Sequence, residues 1–258
     1  MKKNSNNFWN NRALNKKVPG SNDPFLDFFE TKKIISLLKN KKNLNILDIG
    51  CGSGELLQKI NKDKKIDRGV GIDFSNKMIL KAKRNNKSRK IKYYNIDMNK
   101  MDDIRKYDDI KFDYIITKRA IINVLSRKKQ LKVINNLGNF LKTRGSALLC
   151  ECSRDDQMNI NKIRSLYNLK PINPPWHNLY FSDSVLKNYK VKKMKLVKIH
   201  DFSSTFYFVS RIINALDKKI LKKNAKFDDN INKIGWMLDS NLIKGYSQTK
   251  IYQYTKKN

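Results

Sequence analysis

The chain has 258 residues, 40% of them apolar and 10% aromatic, which is enough for one large domain with its own core. Lys+Arg less Asp+Glu is 56 − 23 = +33, a field that concentrates anions whatever its origin. No apolar run approaches the roughly 18 residues of a spanning helix, and Met1–Trp9 is basic and polar with no apolar stretch behind it, so neither a membrane span nor a secretory leader is expected.

Residues 1–24 are polar and turn-rich, with Gly20 and Pro24, and read as an arm; with the next few residues they form an N-terminal cap over 1–30. Residues 25–38 carry one apolar face and predict a helix. The chain then alternates. Apolar runs at Asn45–Ile49, Gly69–Ile72, Ile91–Asn95, Phe112–Thr117 and Ala147–Glu151 predict buried strands. A helix is expected over Glu55–Ile60, and another that Ser75 caps, with Met78, Ile79 and Ala82 inward. A third is expected from Arg127 to Lys142, with Leu131, Ile134, Leu137 and Leu141 on one stripe. Met194–His200 and Lys250–Tyr254 are late strands.

Strands alternating with helices predict a single α/β domain over 1–258, a doubly wound, mostly parallel seven-stranded sheet. The sixth strand should run parallel to the core and the seventh antiparallel. Two connections are long, 152–193 and 201–247. Both leave the carboxyl edge of the sheet, where doubly wound folds bind ligands. With the 1–30 arm they are expected to form helical lid insertions around a substrate pocket. The pairs Lys41–Lys42, Lys64–Lys65 and Lys192–Lys193 read as solvated turns or helix ends.

The basic excess is 45 Lys against 11 Arg, beside 32 Asn. Nucleic-acid readers favour Arg, whose planar fork pairs with phosphate and guanine. Lys, Asn and Ile share A/T-rich codons, so genome composition explains the excess. A preference for phosphorylated substrates, RNA or acidic lipid is the alternative. Three cysteines, Cys51, Cys150 and Cys152, make no disulfide framework and no metal-ligand spacing, so a reducing cytoplasmic setting is expected and no metal.

The strongest motif is Asn45-Ile-Leu-Asp-Ile-Gly-Cys-Gly-Ser-Gly-Glu55. A buried strand runs into a glycine loop that lets a ligand touch main chain. The spacing is G-x-G-x-G, and Glu55 stands where a dinucleotide loop has its third glycine. Glu55 and Asp48 are poor neighbours for a pyrophosphate on a helix N-terminus. Both suit an ammonium or sulfonium charge. Asp73 ends the next strand, 19 residues past Gly54, the place for a carboxylate that takes ribose hydroxyls. Phe74 beside it can lie against adenine. After the third strand, Asp97 can accept from an exocyclic amine while Met98 covers the base.

In this order the three stretches resemble motifs I to III of class I S-adenosylmethionine-dependent methyltransferases. Phe112–Thr117 and Gly145–Glu151 are similar to the family's fourth and fifth strands, so the resemblance covers a cofactor-binding core over 40–151. It implies the Rossmann-like methyltransferase fold, S-adenosylmethionine as cofactor, and a methyl transfer. It places Gly50 and Gly52 on the methionine part, Asp73 on the ribose, and Asp97 and Met98 on the adenine. Asp48, Cys51, Phe74 and Thr117 complete the implied cofactor set; Cys51 reads as small packing, not a nucleophile. Pro174–Tyr180 and Asp201–Arg211 more loosely resemble a bacterial subgroup linked to surface-polysaccharide or small-molecule modification.

Position picks the substrate candidates. Arg119 and Asn123 follow the fourth strand, Trp176, His177 and Tyr180 lie in the first excursion, and Tyr207 and Arg211 in the second. His177 is a candidate general base near neutral pH. Arg119 and Arg211 are candidates to clamp an acidic group. Phe206–Phe208 reads as core. Asn173-Pro-Pro-Trp176 spells an amine-holding signature, yet it falls more than fifty residues after the fourth strand instead of directly behind it, so it reads as a stiff loop. The expected acceptor is a small polar molecule, such as a sugar or activated sugar. An RNA substrate, or cofactor binding without transfer, are the alternatives.

Overall fold

The computed structural model describes residues 4–15, 22–38, 43–63, 66–107, 110–240 and 242–257. Lys41–Lys42, Lys64–Lys65 and Gly20 lie outside them. In chain order the elements are α1 (Ser5–Asn15), α2 (Pro24–Leu37), β1 (Leu44–Ile49), α3 (Glu55–Asp63), β2 (Ile66–Asp73), α4 (Asn76–Asn85), β3 (Ile91–Asn95), β4 (Phe112–Lys118), α5 (Arg127–Leu137), β5 (Leu141–Cys152), α6 (Arg154–Leu166), α7 (Asp183–Asn188), β6 (Met194–Asp201), α8 (Ser204–Phe208), α9 (Asn214–Ile220), α10 (Asn230–Met237) and β7 (Thr249–Lys256).

The strands form one sheet in the order β3-β2-β1-β4-β5-β7-β6. β1 to β5 pair in parallel, β7 is antiparallel to both its neighbours, and β6 therefore runs with the core. Alternate residues along each strand feed two cores, because successive side chains point to opposite faces. Leu47, Ile49, Ile115, Ala147 and Leu149 pack with Val133, Ile134 and Leu137 of α5. Ile46, Tyr114, Ile116 and Leu148 pack with Leu57, Ile60, Ile79 and Ala82 of α3 and α4 and with Ile34 of α2. The long excursions meet α2 in a third cluster, with Leu26, Ile160, Phe206, Tyr207 and Ile212 buried together. Val209–Ile213 between α8 and α9 is a π-helical turn, a form that single helical turns adopt where packing demands it.

Two expectations are corrected. The helix that starts at Arg127 stops at Leu137, and Leu141 opens β5 instead of closing the apolar stripe. Pairing with β4 captures it: Phe112 N donates to Phe140 O at 2.8 Å, and Leu141 registers against Phe112. The 1–24 stretch is not all turn, since residues 5–15 are helical. Asn4 caps α1, accepting from Asn6 N at 2.9 Å and Asn7 N at 3.4 Å. Propensity alone does not hold so short a helix. α1 docks on α4, where Asn10 Oδ1 accepts from Ser75 Oγ at 2.7 Å and Ala13 O accepts from Lys81 Nζ at 3.2 Å.

α2 is tied down across the carboxyl edge of the sheet. Asp23 caps it, accepting from Leu26 N at 3.0 Å, and Pro24 takes the first turn, where its missing N–H costs nothing. Asp27 bridges Lys118 at 2.6 Å and Lys59 at 2.9 Å, so α2 sits over the end of β4.

Candidate active site

The glycine loop is built on three residues with φ of +71° (Gly50), +54° (Gly52) and +80° (Gly54), the left-handed region that favours glycine. A Cβ on Gly50 would stand 2.4 Å from that of Ala120, and one on Gly54 would stand 2.6 Å from the Tyr93 ring. Any side chain there would push the β4 loop or β3 away. Gly50 N and Cys51 N both donate to Ile72 O, at 2.8 and 3.0 Å, tying the loop to β2.

Asp73 completes that tie. Its Oδ2 accepts from Gly52 N at 3.0 Å and its Oδ1 from Ser75 N at 2.8 Å. Burial pushes its carboxyl up to about 6, against the pull of those two amides. Asp48 lies beneath the loop, 1% exposed, and burial pushes it up to about 7 although Lys118 opposes the shift. Its Oδ2 has no hydrogen-bond partner among the described residues. A buried, unpaired carboxylate oxygen under a bare glycine loop fits a cofactor that brings a positive charge.

A cavity opens above this loop. Its walls include Gly50, Gly52, Asp73, Phe74 and Met98, five of the nine residues expected for the cofactor. The other four stand elsewhere. Asp48 and Cys51 are buried under the loop, and burial raises the Cys51 thiol well above its usual range. Thr117 does not reach the cavity: the alternation of β4 turns it towards β5, where its hydroxyl donates to Glu151 Oε1 at 2.7 Å. Asp97 is exposed at the end of β3 and accepts from Asn99 N at 2.8 Å. The cavity measures about 70 Å³, and Trp9, Met78 and Met98 line it beside the loop residues.

A second cavity of about 260 Å³ adjoins it. Trp9, Arg119 and Asn123 line both, so they form the wall between them. Of the expected substrate residues, Arg119, Asn123, His177, Tyr180, Tyr207 and Arg211 line the second cavity. Trp176 does not: the Pro174–Pro175 turn aims it at α1, where its ring meets Phe8 with centroids 5.5 Å apart. His177 packs on Phe8 at 4.3 Å, and burial, then the Arg12 guanidinium, lower its pKa. Asn173 is exposed on the loop after α6, while Pro175, His177 and Asn178 that follow it line the second cavity with Arg119 and Asn123.

The two arginines expected to be clamps are already engaged. Arg211 pairs with Asp23 at 2.7 Å, and Arg119, at φ +53°, pairs with the fully buried Glu30 at 3.3 Å. Cation and carboxylate were driven together because neither is stable alone in a buried wall. Even so, the described lining carries three guanidinium groups, Arg12, Arg119 and Arg211, against one carboxylate, Asp23.

Sequence reasoning missed three residues. Trp9 and Arg12 sit in an Asn-rich stretch without periodicity, and the Phe8–Trp9 pair was the only signal there. Glu151 was visible as a lone carboxylate in the apolar run of β5. It is fully buried and accepts from Thr117 Oγ1, from Ala120 N and Ile121 N at 3.2 and 3.0 Å, and from Ile122 N at 3.3 Å. This carboxylate pins the loop that carries Arg119, Ala120 and Asn123. Among the described residues no cluster of three metal-ligating side chains occurs, and no helix is long and apolar enough to cross a membrane.

The fold agrees with that of known proteins. A family model described as a methyltransferase domain matches residues 40–199, more than half of the chain. NodS, an N-methyltransferase of Bradyrhizobium japonicum WM9 solved with S-adenosylhomocysteine, superposes with TM-score 0.61 at 13% identity, covering 99% of this chain and 100% of that one. Magnesium protoporphyrin IX methyltransferase of Synechocystis PCC 6803, also with S-adenosylhomocysteine, gives 0.58 at 12% identity, covering 98% and 96%. Protein 235L of Invertebrate iridescent virus 6, whose name carries the word methyltransferase, is 26% identical over 110 residues, which span 43% of this chain and 39% of that relative's length. The glycine loop, the carboxylate at the end of β2, the strand order and the family match together place this chain in the class I S-adenosylmethionine-dependent methyltransferase family.

Proposed function

We propose that the chain transfers the methyl group of S-adenosylmethionine to a small polar acceptor that carries an anionic group, such as a phosphorylated or acidic sugar. The observation that supports this is the pair of adjoining cavities: one over the glycine loop, the other lined by three guanidinium groups and one carboxylate. In this reading the methionine part lies on Gly50 and Gly52, the ribose on Asp73, and the adenine between Phe74 and Met98 with Asp97 at its edge. The Asp48 carboxylate favours the cationic form of the cofactor from below. Bound there, the cofactor supplies an electrophilic methyl, and the protein supplies alignment, which is worth about 7–11 kcal/mol when two reactants are held in attack geometry.

The chain's own residues do the rest. Arg12, Arg119 and Arg211 orient the anionic end of the acceptor, with Tyr180 and Tyr207 on its flank. Where the acceptor attacks through a hydroxyl, His177 takes the proton; burial beside Arg12 keeps its imidazole neutral and ready to accept at pH 7. Segments 1–30, 152–193 and 201–247 act as the lid, with Trp9 of α1 lining both cavities. Charge placement supports a small acceptor over RNA. Lys111, Lys193, Lys256 and Lys257 gather at the far edge of the sheet, bonding Asn139 and carbonyls around the end of α5 and along 191–192, away from the glycine loop.

Methyl-labelled S-adenosylmethionine offered with a panel of sugars tests the proposal. Phosphorylated and carboxylated members are expected to be labelled at least about tenfold faster than their neutral parents, the value of one charge-assisted contact. Equal labelling of neutral parents removes the anionic requirement. Label passing only to RNA, with binding that falls steeply in salt, replaces the acceptor class. Tight cofactor binding with no acceptor labelled favours a protein that binds without transferring.

A further inference from the structure

The wall between the two cavities carries polar atoms with nothing to bond. Asn123 Oδ1 is buried and has no hydrogen-bond partner among the described residues, and the same holds for Trp9 Nε1. Both residues line both cavities. The Asn123 amide cannot turn to hide its oxygen. Its Nδ2 donates to Arg119 O at 2.9 Å and to Ala120 O at 3.3 Å. Two carbonyls accept only, so they demand the NH2 end, and the oxygen must face the other way. The loop beneath is held in turn, because Asn123 N donates to Ala120 O at 3.0 Å and Glu151 receives the amides of residues 120 to 122. An acceptor atom fixed in this way, on a residue that walls both cavities, is one that a bound ligand can satisfy.

We propose that Asn123 Oδ1 receives an N–H or O–H of the attacking atom, so that the nucleophile is an amine or a hydroxyl and not a thioether or a donor-free carbon. This rests on the two-cavity reading above and adds to it the chemistry of the methylated atom. One hydrogen of the nucleophile bonds to Asn123 Oδ1, which turns a lone pair towards the methyl carbon. That lone pair forms the new bond to carbon. The carbon–sulfur bond breaks with its electron pair left on sulfur, giving a neutral thioether. The positive charge passes to the attacking nitrogen or oxygen, which then releases a proton to His177 or to water.

The test needs no knowledge of the acceptor. Sinefungin replaces the methyl-bearing sulfur by a carbon carrying a primary ammonium, so it puts N–H donors where the methyl would sit; S-adenosylhomocysteine has none there. Titration calorimetry of both on the wild type, Asn123→Leu and Asn123→Ala gives the ratio of the two affinities. The proposal expects the preference for sinefungin to drop about tenfold or more in both variants, as for loss of a hydrogen bond to a charged group, while S-adenosylhomocysteine binding is kept. That retained binding is also the proof that each variant has folded. Parallel weakening of both ligands, or an unchanged ratio, overturns it. A wild-type chain that binds neither ligand removes the two-cavity reading itself, and this proposal falls with it.

Discussion

Asp73→Ala is expected to lower the affinity for S-adenosylmethionine by two orders of magnitude or more in a calorimetric titration. Two losses combine. On the proposed ribose assignment the cofactor loses a carboxylate partner for its hydroxyls, and hydrogen bonds to a charged group are worth about 1.5–3 kcal/mol each. The glycine loop also loses its anchor, since Asp73 Oδ2 holds Gly52 N and Oδ1 holds Ser75 N. Asp73→Asn keeps the shape and one acceptor oxygen, so its loss should be smaller. The wild type should show the same carboxylate in its pH dependence. Burial raises Asp73 to about 6 in the free protein, and ribose hydroxyls prefer the ionised form. Affinity is then level above pH 6 and falls as the pH drops below it. For the free fold the sign is opposite. A carboxyl raised above its unfolded value, about 3.9, adds stability that is full below that value and lost as the pH rises through about 6. Equal affinity in wild type and Asp73→Ala would remove the ribose assignment.

Glu151→Ala is the second large effect, and it is expected in stability first. Four donors converge on this carboxylate: one hydroxyl and three successive amides. Each donor left unpaired in the interior costs about 1–3 kcal/mol, and relaxation or water entry recovers part of it. A net loss of about 3–5 kcal/mol is expected, comparable to breaking a buried charged contact. For a chain of this size that is a fall of about 6–20 °C in Tm. Glu151→Gln retains one acceptor oxygen but offers an NH2 group to an amide, so it should fall between Ala and wild type. Circular dichroism melting reads all three. A Glu151→Ala chain that melts with the wild type would mean that the post-β4 loop is held by something else.

Much of the fold was legible because its signals are local and strong. The run at Asn45–Ile49 is a buried strand and that at Ile91–Asn95 an edge strand with Ile91 and Tyr93 buried, both marked directly by side-chain patterning, and Ser75 caps α4 by accepting from Met78 N. The parallel β6 and antiparallel β7 follow from topology. The errors lie where tertiary contacts outvote local pattern. Leu141 fits the α5 stripe, but β4 offers it a strand partner. α1 has almost no amphipathic pattern to read, and its helix exists because Asn10, Ala13 and the Phe8–His177 contact give it somewhere to dock.

The site divides the same way. The glycine loop and Asp73 are legible because main-chain geometry forces those residue types. Arg119 and Arg211 were found, but their carboxylate partners, Glu30 and Asp23, come from α2 and its cap, which no motif connects to them. Thr117 lies beside the cavity in sequence but faces β5 in space. Asn123 was found from its place after β4, whereas Glu151 matters through hydrogen bonds from backbone in a loop, and such bonds leave no residue spacing to recognise.

A crystal structure of the chain with S-adenosylhomocysteine bears most directly on the central claim, that the adenosyl ligand lies on the glycine loop with its sulfur turned to the wall of Trp9, Arg119 and Asn123. The expected map shows the ribose hydroxyls on Asp73 and adenine between Phe74 and Met98. Density for the ligand anywhere else, or a glycine loop left empty at saturating ligand, would contradict it.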